Sequence, residues 1–120
     1  MKFKNTGIES FVIDLNMLDD TMERIGFVRA GQWDYERVSY DYKFEILQDV
    51  YYLRVQGYTK DGDVGAHDAL IQLVTPILGK HYYPHGVEYG SDEVMPTQVV
   101  THSEELLKRV SEALATLPKL

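Results

Sequence analysis

The 120-residue chain contains no cysteine. That excludes disulfides, thiolate metal sites, iron–sulfur clusters and a cysteine nucleophile, and it fits a reducing compartment. No apolar run approaches the ~20 residues needed to span a bilayer, and the opening Met1-Lys2-Phe3-Lys4-Asn5 leads into no apolar signal core. Basic residues are also in short supply. Twelve Lys and Arg stand against 19 Asp and Glu, a formal charge of −7, which disfavours docking on nucleic-acid phosphates or anionic membranes. The glycine-rich phosphate cradle, dinucleotide fingerprint and nucleophile elbow are missing. Serines and threonines stand without a paired base, so a hydrolytic triad has no support. Only four prolines punctuate the chain, and there is no low-complexity linker or repeat. One cytoplasmic domain over residues 1–120 is the expectation.

Tyrosine is in excess: nine, against four Phe and one Trp. Its distribution follows a secondary-structure pattern. Residues 8–13 read as an opening strand. Asp14 then caps a helix whose apolar stripe is Leu15, Leu18, Met22 and Ile25, and Gly26 supplies its left-handed stop. From Val38 the chain alternates strictly. Val38, Tyr40, Tyr42, Phe44 and Ile46 share one face, and Arg37, Ser39, Asp41, Lys43 and Glu45 the other. After a turn at 47–49, Tyr51, Leu53 and Val55 alternate with Tyr52, Arg54, Gln56 and Tyr58. Asp61-Gly62 predicts a two-residue hairpin. Strands follow at 70–74, 77–83 and 87–89, with Pro76 ending or bending the first. Thr101-His102-Ser103-Glu104 has capping-box spacing and opens a last helix with its stripe at Leu107, Val110, Leu114 and Leu117, closed by Pro118. The order β-α-β-β-β(-β)-α predicts an α+β domain: an antiparallel sheet of about five strands with two amphipathic helices on one face.

That layering leaves the second sheet face uncovered. Trp33, Tyr35 and Arg37 on one strand, and Tyr52, Arg54, Gln56 and Tyr58 on the next, would form a surface of the residue types enriched at interface hot spots. It is the candidate interaction surface, for a second copy of the chain, another protein or a small molecule. A chemical alternative is concentrated in Gly79-Lys80-His81-Tyr82-Tyr83-Pro84-His85-Gly86-Val87-Glu88. Imidazoles and carboxylates ligate divalent transition metals, so His81, His85 and Glu88, with His67 as a further ligand, are the candidate metal site of a metal-dependent enzyme. On a regular strand His81 and His85 would stand about 13 Å apart, so convergence needs a bend at Pro84. Without that metal no cofactor is expected. Asp61-Gly62-Asp63 opens like a calcium loop but has Ala66 and Gln72 where glycine and glutamate are required. A third reading is a small-molecule sensor with a pocket between sheet and helices.

Three stretches together resemble the YugN-like family of small bacterial proteins. They are Arg29-Ala30-Gly31-Gln32-Trp33-Asp34-Tyr35-Glu36-Arg37, Tyr52-Leu53-Arg54-Val55-Gln56-Gly57-Tyr58, and Gly79 through Gly90. The likeness runs from the Leu18-Asp19-Asp20 helix to the C-terminal helix. It implies a single cytoplasmic domain, and the family carries no assigned reaction whose catalytic residues could be placed here.

Overall fold

A computed structural model describes residues 1–30, 35–62, 64, 69–90 and 94–118. Its elements are a 3-10 turn (Ile8–Ser10), β1 (Val12–Asp14), α1 (Leu15–Ile25), β2 (Val28–Arg29), β3 (Arg37–Ile46), β4 (Asp49–Asp61), β5 (Leu70–Leu73), β6 (Ile77–His81), β7 (Val87–Glu88) and α2 (Thr97–Ala115). The fold is α+β, and the described residues form seven antiparallel strands in one sheet and two helices.

β4 organises the sheet. One edge pairs with β3 along its whole length, from Arg37↔Tyr58 to Ile46↔Asp49. Its other edge is shared, β5 taking Gly57 to Asp61 and β6 taking Val50 to Arg54. The break between β5 and β6 falls at Val74-Thr75-Pro76, where proline has no N–H to give. The Pro76 carbonyl instead accepts from the Phe3 N–H at 2.9 Å. This fastens Met1–Phe3 beside β6, reinforced by the Leu78 N–H to the Met1 carbonyl at 2.8 Å.

Period-two alternation buries Val38, Tyr40, Phe44, Tyr51, Leu53 and Val55 on one face. The helices cover that face. The α1 residues Leu18 and Met22 and the α2 residues Leu106, Leu107, Val110 and Leu114 are at most 2% exposed, so the space between the layers is filled by side chains. Asp14 caps α1 by accepting from the Met17 N–H at 3.2 Å. Gly26 ends it at φ 113°, a left-handed conformation open to glycine. Tyr40 is buried against α1, and its hydroxyl donates to Asp19, which also pairs with Arg29 at 3.0 Å. Burial first, then that hydrogen bond, raises the Tyr40 ionisation far above its ordinary range.

Four local expectations are corrected. Residues 8–10 form a 3-10 turn rather than strand, because Gly7 is left-handed (φ 79°) and its carbonyl accepts from the Ser10 hydroxyl and N–H. Asp61 pairs with Leu70, so eight residues join β4 to β5 in place of a two-residue turn. β3 begins at Arg37, with Tyr35 in the preceding bend. Finally, α2 starts one turn early, at Thr97 after Pro96. Val99 heads the buried stripe, and the Thr101–Glu104 motif lies inside the helix with Ser103 fully buried.

Candidate functional site

The uncovered sheet face is built by the residues that alternate with the core. Cross-strand pairing sets Arg37 against Tyr58, Ser39 against Gln56, Asp41 against Arg54 and Lys43 against Tyr52. On the other edge of β4, Tyr52 faces Gly79 and Arg54 faces Ile77. Directly opposed residues share a face. Arg37, Tyr52, Arg54, Gln56 and Tyr58 are therefore brought onto one surface, as their parity predicts. Tyr35 lies at its margin, 58% exposed, and Trp33 lies outside the described residues.

Arg54 is the centre of this face. Its Nε and Nη2 donate to the two carboxylate oxygens of Asp41 at 2.8 and 2.9 Å, a bidentate pair. That hydrogen bonding raises the Arg54 ionisation against the opposing effect of burial. The guanidinium also lies over the ring of Tyr89, 5.6 Å from its centroid, a cation–π geometry. Tyr89 reaches this place because Gly79 has no side chain. A Cβ there would stand 2.6 Å from Tyr89 Cδ1 and from the Glu88 carbonyl oxygen. The Tyr89 hydroxyl is buried with no hydrogen-bond partner among the described residues, and burial raises its ionisation while Arg54 opposes the shift. Neighbouring contacts extend the array. The Tyr52 ring meets His81 edge-on at 6.3 Å, and Lys43 pairs with Glu45 at 3.1 Å, which raises the lysine ionisation.

Asp41 shares the parity of Arg37 and is legible on this face from the sequence, whereas the roles of Gly79 and Tyr89 are not. The Gly79–Tyr89 fit depends on β6–β7 pairing and has no local signal.

Among the described residues, His81, His85 and Glu88 are not brought together. His81 pairs with Val87 and Lys80 with Glu88, so His81 turns to the outer face with Tyr52 while Glu88 shares the opposite face with Lys80. His85 lies in the connecting loop, closed by the Tyr82 N–H to the Gly86 carbonyl at 3.3 Å. His67 lies outside the described residues. Among the described residues no group of three His, Asp or Glu is placed to hold a metal ion. His102, expected in the first turn of α2, lies further along the helix, with its ring 5.7 Å from Tyr42 and 5.2 Å from Phe44.

Known proteins resemble this chain in sequence and fold. YlbA of Bacillus subtilis is 53% identical over 117 residues, covering 98% of each chain. YugN of the same organism is 24% identical over 74 residues, 62% of this chain and 55% of that protein. The crystal structure of the conserved protein YugN from Geobacillus kaustophilus superposes with a TM-score of 0.87 at 50% identity, covering 98% of this chain and 96% of that one. The model of the YugN-like family matches residues 4–112, and the chain belongs to that family.

Proposed function

We propose that the chain is a cytoplasmic, non-catalytic binding module that self-associates through its outer sheet face. The observation that carries this reading is a sheet with helices on one side only, whose other side presents Tyr52, Arg54, Gln56, Tyr58 and Tyr89 in a fixed register. Tyrosine and arginine give large contact area with polar ends, and they dominate interface energetics. Electrostatics favours a second copy here over elsewhere on the surface. The face carries Arg37, Lys43 and Arg54 against Asp41 and Glu45, so it is near neutral in a chain of net charge −7. Two copies stacked face to face keep their acidic surfaces apart. Among the described residues no helix is long and apolar enough to cross a membrane, and the lack of cysteine agrees with a reducing cytoplasm.

Sedimentation equilibrium across the micromolar range tests this. The wild-type chain is expected to pass from monomer to dimer. Tyr52→Glu, which sets a carboxylate at the centre of each face, is expected to remain monomeric with an unchanged circular dichroism spectrum. A wild-type monomer throughout, or a Tyr52→Glu variant that dimerises like wild type, rejects the reading.

A further inference from the structure

The two arginines of the outer face differ in one respect. Arg54 is neutralised by Asp41, whereas Arg37 forms no ion pair or hydrogen bond through its side chain among the described residues. Arg37 lies on the wall of a groove of about 540 Å³, lined also by Glu36, Gln56, Gly57, Tyr58, Thr59 and Val74. The groove opens where β5 gives way to β6. Val74 has left the ladder there, and its N–H still donates to the Gln56 carbonyl at 3.0 Å.

Three features give this groove a chemical preference. First, the Thr59 N–H donates to the Glu36 carbonyl at 2.8 Å, which makes Arg37↔Tyr58 a non-hydrogen-bonded pair, the kind whose side chains lie closest. The two side chains thus leave adjacent points of one face, with Tyr58 48% exposed. Second, the Gln56 side chain is another polar group without a hydrogen bond among the described residues, set next to Tyr58 across the groove floor. Third, Arg37 is a cation without a carboxylate partner in a chain whose acidic residues outnumber its basic ones. A guanidinium presents paired N–H donors that match a carboxylate, and an exposed tyrosine face accepts a planar ring in offset stacking.

We propose that this groove binds a small aromatic carboxylate, with the carboxylate on Arg37, the ring on Tyr58 and Gln56 as the second polar contact. The site is complete within one chain, and because Gln56 and Tyr58 also belong to the face proposed for self-association, ligand and second copy exclude one another there, so the titration is made on the monomer at low protein concentration.

Titration of benzoate into the isotopically labelled protein, followed by amide and tyrosine resonances, tests this. Benzamide and cyclohexanecarboxylate serve as probes lacking the charge and the aromatic ring. Benzoate is expected to give saturable shifts centred on Arg37, Gln56 and Tyr58. Benzamide binding, and benzoate binding to Arg37→Gln, should be weaker by about tenfold, the loss of one charge-assisted contact. Arg109→Gln, an exposed arginine on α2, should bind as wild type. Cyclohexanecarboxylate should bind more weakly than benzoate. The proposal is overturned if benzoate shifts do not saturate at these residues, if Arg37→Gln binds as wild type, or if the saturated ring binds as tightly as the aromatic one.

Discussion

Gly79→Ala would place a Cβ 2.6 Å from the Glu88 carbonyl oxygen, 2.6 Å from Tyr89 Cδ1 and 2.7 Å from Val87 Cγ1. Comfortable carbon contacts lie near 3.5–4.0 Å, so β7 has to move by about an ångström. One of the obstacles is backbone, which cannot swing aside as a side chain can. β7 is held to β6 by only two residue pairs, and its displacement takes Tyr89 off Arg54. Overpacking of this kind costs about 1–3 kcal/mol, and the cation–π contact adds about 0.5–1 kcal/mol. The expected loss is therefore about 1.5–4 kcal/mol. Gly86→Ala is the control. Nothing lies within 4 Å of its added Cβ and its φ is not positive, so it should be neutral or stabilising by about 0.5 kcal/mol through the unfolded chain. Urea denaturation at one protein concentration reads both, as midpoint changes at constant slope. A Gly79→Ala protein within about 0.5 kcal/mol of wild type would refute the claim that Tyr89 is seated by the missing side chain.

Further substitutions test other parts of the account. Tyr40→Phe removes the hydroxyl that donates to Asp19, and calorimetry should show a loss of about 1–2 kcal/mol at neutral pH. The same variant carries a pH signature. Because the Tyr40 ionisation is raised in the fold, its contribution is complete below the unfolded tyrosine pKa near 10 and is lost above it, at about 1.4 kcal/mol per pH unit. The stability gap between wild type and Tyr40→Phe should therefore narrow as pH rises beyond 10, and a constant gap contradicts the assignment. Leu47 is 99% exposed at φ 57° in the β3–β4 turn, so Leu47→Gly should stabilise by about 0.5–1 kcal/mol in urea. Ser103→Ala removes from α2 a buried hydroxyl that has no hydrogen-bond partner among the described residues, and its thermal midpoint should rise by an amount corresponding to about 0.5–2 kcal/mol.

Much of the layer structure is legible from periodicity alone. Strict alternation from Arg37 to Ile46 and from Tyr51 to Tyr58 separates the two faces before any pairing is known, because a strand offers only two directions. Asp14 and Gly26 mark the ends of α1 through side-chain chemistry local to each. What escapes the sequence depends on partners distant along the chain. The capping-box spacing at Thr101–Glu104 is a true helix-start pattern, but the helix extends back to Thr97 after Pro96 and buries Val99 in the core. Parity puts Arg37 and Arg54 on the outer face and cannot say that only Arg54 meets a carboxylate. His81 and Glu88 look convergent as a string of ligands, and only the β6–β7 register sends them to opposite faces. Tyr89 reaches Arg54 only through the same register and the bare Cα of Gly79.

The central claim is that the outer sheet face, and not the helical layer, meets a second copy. Amide chemical shifts followed on serial dilution through the micromolar range address it residue by residue. The account predicts concentration-dependent shifts clustered at Tyr52, Arg54, Gln56, Tyr58 and Tyr89, with the exposed α2 positions Glu104, Glu105, Lys108 and Arg109 unmoved. Shifts confined to α2, or a spectrum that does not change with concentration, would contradict it.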